Sequence, residues 1–436
     1  MHRLVSRLVI YRNIGADSIL MRLARICGDF DNGGYIKEEL TGRILDQIHS
    51  LLDLATQYGF DHDLWRSYIA WILAMTENPF TLVSEKKGAV SGSVNDFAKN
   101  DFEIFYRLVN YDFSYLEKAL ELNCFSVIRN YESVKKKEQF YNKNVSVRVQ
   151  ELSDALERAG SPEETYRAAM EFYKKYGVGQ FGMNRAFRLE TKDAECRIVP
   201  IAATSDVVLD DLVGYEYQKA ELVKNTLGFL EGKSANNVLL YGDAGTGKST
   251  SIKALINLYY EQGLRIIEVY KHDFRYLPEI ISIIKSRNYR FIIYMDDLSF
   301  ESAETEYKYL KAVIEGDLEE RPDNVLIYAT SNRRHLIRET FSDRNEINED
   351  DVHRNDTMAE RLSLADRFGV RIGYFKPEKQ QYLDIVHAPA QRTPAIAMPE
   401  EELDLKAERW AMKCGERSGR AARNFINDLL AGQGKD

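Results

Sequence analysis

The sequence predicts an α/β fold, a parallel sheet with helices on both faces, preceded by a mainly helical domain and followed by a small helical cap. Three observations predict it. Helical periodicity runs through roughly the first two hundred residues; from about Asp210 short apolar, β-branched runs alternate with helical stretches; and no strand-like run recurs after Lys376-Pro377. Strands that alternate with helices build a parallel sheet covered on both sides. The expected division is 1–200 for the helical domain, 209–376 for the α/β core and 377–436 for the cap.

Within the N-terminal part, apolar residues at Leu40, Ile44, Ile48, Leu51, Leu52 and Ala55 recur at steps that share one helix face. A second helix begins at Ser161-Pro162-Glu163-Glu164, where serine caps, proline suits the first turn and Glu164 completes a capping box; Gly177 is its expected stop. Ser84 to Asp96, rich in Lys, Gly and Ser, reads as a loop. Lys135-Lys136-Lys137 reads as a solvated helix face in preference to a basic docking patch. The strands expected in the core are Val238–Tyr241, Ile266–Tyr270, Phe291–Met295, Val325–Ala329 and Arg371–Phe375.

Composition bounds the function. Hydrophobic residues make up 44% of the 436 and charged residues 29%, which excludes a disordered chain. A net charge of -9 argues against coating nucleic acid by bulk charge. Cys27, Cys124, Cys196 and Cys414 are scattered singly and the seven histidines form no metal pattern, as expected in a reducing compartment. The N-terminus, where Arg3, Arg7 and Arg12 divide short apolar runs, lacks a signal-peptide pattern, and no window approaches the ~20 apolar residues of a membrane span. A cytoplasmic protein without membrane contact is expected.

Two motifs carry chemistry. Gly242-Asp243-Ala244-Gly245-Thr246-Gly247-Lys248-Ser249 matches GxxxxGK[ST] in full, between an expected strand and an expected helix. Glycines there let successive backbone amides turn toward phosphate, and the helix N-terminus adds partial positive charge. Lys248 is the expected partner of the terminal phosphates of ATP and Ser249 of magnesium, with Thr250 closing the loop. The second motif, Phe291-Ile292-Ile293-Tyr294-Met295-Asp296-Asp297, delivers two carboxylates at the C-terminal end of a buried strand, where open α/β sheets bind ligands. Asp296 is the expected second magnesium ligand, and Asp297 the group that orients or deprotonates the attacking water.

On these motifs the chain resembles the AAA+ P-loop ATPases from about Asp210 to its C-terminus. The resemblance implies a five-stranded parallel sheet ordered 5-1-4-3-2, a C-terminal helical lid, and ATP held between core and lid. It identifies Asn332 with sensor 1, Arg367 in Ser363-Leu364-Ala365-Asp366-Arg367-Phe368 with an arginine finger acting on a neighbouring subunit (Arg361 the second choice), and Arg420 with sensor 2, ahead of Arg423. Leu212-Val213-Gly214-Tyr215 resembles the adenine-side segment of that superfamily. AAA+ proteins usually carry glutamate after the magnesium aspartate; Asp297 is one methylene shorter, and hydrolysis is expected to be slow without a partner or oligomer. The phrases around the P-loop, Asp296-Asp297 and Ser363–Gly369 resemble an uncharacterised bacterial AAA+ family known only as domain of unknown function 815. Phe341 to Thr357, which includes Asn348-Glu349-Asp350-Asp351, departs from the AAA+ pattern and reads as a solvated acidic loop in preference to a regulatory one.

The expected activity is hydrolysis of ATP with magnesium by a homo-oligomeric ring or spiral that remodels or loads a protein partner. A nucleic-acid-associated ATPase of helicase-loader or initiator type is the alternative, disfavoured by the acidic balance and the absence of a helix-turn-helix pattern after the lid. A small-molecule kinase is more distant, because the sensor and finger candidates fall in AAA+ order.

Overall fold

A computed structural model describes residues 1–87, 92–133, 142–192, 195–300, 306–315, 322–332, 336, 364–396 and 398–432. The chain forms two compact units, one of Met1–Asn184 with Pro200–Ala203 and one of Arg185–Val199 with Thr204–Asp436.

The first unit is helical. In the helix Lys37–Tyr58 the buried face is Leu40, Ile44, Gln47, Ile48, Leu51 and Ala55. Leu52 is 36% exposed, so it does not belong to the face expected of it; the amphipathic Gln47 fills that place. The helix Pro162–Tyr176 starts at the Ser161 cap and ends at Gly177, as its sequence predicts. Its capping glutamate reaches one residue further than expected: Glu164 Oε2 accepts from the Gly160 amide at 2.6 Å. The expected loop from Ser84 to Asp96 is corrected. Helix Pro79–Lys87 runs into it and helix Ser93–Val109 begins inside it. Asp101, fully buried in the second of these, accepts backbone N–H bonds from Val9, Ile10 and Tyr11 at 2.8–3.2 Å. It thereby satisfies the free amides of a short helical turn at Ile10–Asn13. Lys135-Lys136-Lys137 lies outside the described residues.

The second unit is built on one seven-stranded sheet: β1 Ala186–Lys192, β2 Glu195–Pro200, β3 Val238–Gly242, β4 Leu264–Glu268, β5 Arg290–Met295, β6 Val325–Ser331 and β7 Val370–Tyr374. Its order is β2-β1-β4-β5-β6-β3-β7. The pairs β1–β4, β4–β5, β5–β6, β6–β3 and β3–β7 are all parallel. Counted along the chain, β3 to β7 stand in the expected order 5-1-4-3-2. The sheet is larger than the five strands expected, because β1 and β2 extend the β4 edge. Residues 185–199 therefore belong to the sheet-bearing unit, and the expected boundary near residue 200 moves back to Asn184. Alternating Arg, Glu and Lys on these edge strands hide the strand pattern in the sequence.

Helices α1 (Glu216–Leu230) and α2 (Lys248–Tyr259) bury Leu222, Phe229, Ile252, Leu255 and Ile256 with Val238, Leu240, Ile292, Tyr294 and Tyr328. Phe291 and Ile293, alternate along β5, are buried on the opposite face. Helices α3 (Leu277–Ile284) and α4 (Glu306–Glu315) complete the core. The lid is α5 (Lys379–Gln391), α6 (Glu400–Cys414) and α7 (Gly419–Gly432), packed around Tyr382, Leu383, Val386, Ala407 and Phe425. No helix among the described residues is long and apolar enough to cross a membrane.

Tyr328 ties α1 to the sheet. Its hydroxyl receives a hydrogen bond from Asn225 at 3.0 Å and shares one with Thr226 at 2.9 Å, in full burial. Tyr328→Phe is expected to lower stability by about 1–2 kcal/mol in urea unfolding; an unchanged midpoint would show that these bonds contribute nothing net.

Candidate functional site

The C-terminal ends of β3, β5 and β6 converge on a cavity of about 860 Å³ between sheet and lid. It is within the range of small-molecule sites. The loop after β3 supplies Ala244 to Thr250, the end of β5 supplies Asp296 and Asp297, and β6 supplies Thr330 with Asn332 just beyond it.

At Gly242 the chain leaves β3 with φ +129°, and a Cβ there would stand 2.0 Å from the Tyr374 carbonyl oxygen, so only glycine fits beside β7. The Lys248 side chain, 5% exposed, folds back into the loop. Its ammonium donates to the carbonyls of Gly242 (3.0 Å) and Asp243 (2.6 Å) and to Asn332 Oδ1 (3.0 Å). Burial lowers its pKa below the usual lysine value, against the opposing pull of Asp243, Asp297 and Asp296. Asp243 does not face the cavity with the rest of the loop. Its carboxylate accepts the Lys376 amide at 2.9 Å and fastens the loop to the segment that leads into the lid.

Ser249 Oγ donates to Asp296 Oδ1 at 2.7 Å, and Thr330 Oγ1 donates to the same oxygen at 2.6 Å. Burial raises the Asp296 pKa, but the hydrogen bonds from Thr330 and Ser249, the neighbouring Tyr294 hydroxyl and the charge of Lys253 outweigh it and leave the carboxyl below its ordinary value. The next residue turns. Asp297 has φ +49°, a conformation aspartate tolerates better than most residues. Successive side chains of a straight strand point to opposite faces; the turn lets both carboxylates line one cavity. The Asp297 amide donates to Thr330 Oγ1 at 2.9 Å, and Asn332 Nδ2 donates to Asp297 Oδ1 at 2.7 Å. Asn332 thus bridges lysine and carboxylate. Sequence pattern does not single out Thr330. The signal is a hydroxyl near the end of a mostly apolar strand, two residues before Asn332.

On the lid side, Arg420 and Arg423 both line the cavity, with Asn427 one turn further along α7. The Arg420 amide approaches the Gly245 carbonyl at 3.4 Å. The far end of the cavity is formed by Leu212, Val213 and Tyr215 together with Ile385, Pro389 and Arg392, and Arg392 pairs with Asp211 at 2.7 Å. Gly214, expected among the binding residues, serves the packing of the lid: at φ +77° a Cβ would lie 2.3 Å from Gln381 Nε2 of α5. The Tyr215 ring stacks on Tyr374 at 5.1 Å, and its hydroxyl donates to the Phe375 carbonyl at 2.7 Å. Arg367 is half-buried and does not line the cavity of its own chain. Arg361, Ser363 and the acidic segment Phe341–Thr357 lie outside the described residues.

Residues 182–433 match the family model described as a protein of unknown function, DUF815. The chain belongs to the DUF815 family. The matched stretch contains the whole cavity, from the edge strands to the end of the lid, so these side chains are carried by the part of the molecule that defines the family. No curated protein matches the sequence. Among solved structures, the RuvB Holliday junction branch migration motor of Thermotoga maritima and a point mutant of it are similar at 15% identity, over 51% of this chain and 71% of theirs, with a TM-score of 0.29.

The Thr330 hydroxyl is central to this DUF815 site, since it serves Asp296 and the Asp297 amide at once. Thr330→Val keeps the shape and strands the amide. We expect a loss of about 1–2 kcal/mol near neutral pH in urea unfolding. The folded-state pKa of Asp296 is depressed, so its stabilisation is present above the ordinary carboxylate pKa and disappears as the pH falls through the folded value. The variant raises that folded value, so the gap from the parent should narrow as the pH falls below the ordinary carboxylate value; a gap constant with pH would contradict this role for Thr330.

Proposed function

We propose that the chain binds ATP with magnesium between core and lid and hydrolyses it. The observation that carries this reading is the continuous hydrogen-bonded path Lys248–Asn332–Asp297–Thr330–Asp296–Ser249, drawn from three strand ends and open to one cavity. A phosphate chain needs a fixed cation and a metal site side by side, and this path supports both. The apolar end of the cavity, with Val213, Tyr215, Ile385 and Pro389, suits a flat base.

The donor set fits magnesium. Ser249 and Asp296 offer one hydroxyl and one carboxylate, hard oxygens for an ion that keeps most of its shell as water and phosphate. When bound, the ion supplies charge neutralisation at the phosphates. In this reading Lys248 pairs with phosphate oxygens in exchange for its carbonyl contacts. Asn332 holds the Asp297 carboxylate in orientation, and Asp297 accepts a proton from the attacking water as the terminal phosphoryl group is transferred to that water and ADP leaves. Arg420 and Arg423 neutralise charge from the lid.

Arg367 is assigned to a second copy of the chain. It lies outside its own cavity, on the short helical turn before β7, and a fixed, delocalised cation brought in from a neighbour stabilises the charge of phosphoryl transfer. The assembly is therefore a homo-oligomer, a ring or a spiral, whose output is the remodelling or loading of a protein partner. Action on nucleic acid is the weaker reading, given the net charge of -9.

One mixing experiment tests hydrolysis and assembly together. Asp297→Asn and Arg367→Ala should each retain ATP binding, and each should lose turnover by at least ~10²-fold, since the first lacks the proton acceptor and the second the finger. Mixed in equal amounts, the two should recover part of the parental phosphate release, because Asp297→Asn subunits still carry the finger. Parental turnover in either variant, or no recovery on mixing, would contradict the corresponding assignment.

A further inference from the structure

The strand that delivers Asp296 also carries Tyr294, two residues earlier and therefore on the same face. Tyr294 is 1% exposed, packed between sheet and α2. Its ring stands under Lys253, whose ammonium lies 5.9 Å from the centroid. The hydroxyl sits beside Ser249 and Asp296. Yet it completes no hydrogen bond with either. Ser249 and Thr330 both donate to Oδ1 of Asp296, and among the described residues Oδ2 accepts nothing. A buried hydroxyl without a partner is destabilising, and phenylalanine would fill the same space without that cost. The polar groups beside Tyr294 are the two oxygens assigned to the metal.

We propose that Tyr294 is a positioning residue for the divalent cation, its hydroxyl completing a hydrogen bond to the Asp296 carboxylate when Ser249 and Asp296 turn their oxygens to the ion. The inference rests on the magnesium–ATP reading of the cavity and names a residue that reading does not use. Tyr294 acts on the ligand and not on the metal: it fixes the rotation of the carboxylate, and partners that orient a metal ligand typically change metal affinity by ~10–100-fold when removed. Nucleotide contacts made by the loop and the lid do not pass through it.

The test compares the parent with Tyr294→Phe and, as a control for a lost buried hydroxyl in the same core, Tyr328→Phe. Each is measured for urea stability without metal, for ATP binding in EDTA, and for the magnesium concentration that half-restores full ATP binding. Tyr294→Phe is expected to match or exceed the parent in metal-free stability, to bind ATP in EDTA as the parent does, and to need at least ~10-fold more magnesium. Tyr328→Phe is expected to lose stability and keep the parental magnesium requirement. An unchanged magnesium requirement in Tyr294→Phe overturns the inference, as does an equal loss of binding with and without metal. A parent whose ATP binding ignores magnesium overturns the reading of the site itself, and that outcome is visible before any variant is compared.

Discussion

One carboxylate oxygen, Asp296 Oδ1, accepts hydrogen bonds from hydroxyls in two different parts of the fold: Ser249 at the start of α2 and Thr330 at the end of β6. Three segments remote in sequence are fixed to one another through that atom. Their separation follows from the strand order, which sets β5 beside β6 and β6 beside β3. A sheet in simple chain order would put β4 between the P-loop strand and β5; the observed order puts β6 there, the strand that carries Thr330. The parallel arrangement brings all three C-terminal ends to one edge, where loops are free to hold polar groups that the apolar strands cannot.

Close packing around the loop follows from the same geometry. The main chain passes β7 at Gly242 with no space for a side chain. Asp243, which a phosphate-loop reading treats as one more lining position, instead holds the Lys376 amide. Gly214 lets α5 approach in the same way through Gln381. The lid is therefore held at two places, by the Asp243–Lys376 contact beside the loop after β3 and by the approach of α5 to Gly214. The Asp211–Arg392 pair adds a charged contact between the segment before α1 and the residue after α5; its exposure makes its contribution to stability small.

Local pattern carried most of the site. The P-loop, Asp296 and Asp297 were legible because glycine spacing and a buried apolar run ending in acid encode geometry directly. Asn332, Arg420 and Tyr215 were legible through their order along the chain, and they line the same cavity. Thr330 was not, because a threonine in a strand is ordinarily read as β-propensity, and its value here comes from two partners supplied by the next strand. The edge strands β1 and β2 escaped for the opposite reason: one face is solvated, and charged residues interrupt the apolar run. Spacing alone places Leu52 on the buried face, whereas the helix turns Gln47 inward. The turn at Asp297 that redirects its side chain is a backbone property no composition signals.

The central claim is that the Lys248 loop and the Ser249–Asp296 pair form a magnesium–ATP site. Equilibrium titration of ATP into the parent protein and into Lys248→Ala, each with magnesium and with EDTA, tests it most directly. The claim predicts saturable binding in the parent that strengthens with magnesium, and binding reduced by at least ~10-fold in Lys248→Ala, because the loop loses its fixed cation. Equal affinity in the two proteins, or parental binding indifferent to the metal, would contradict it.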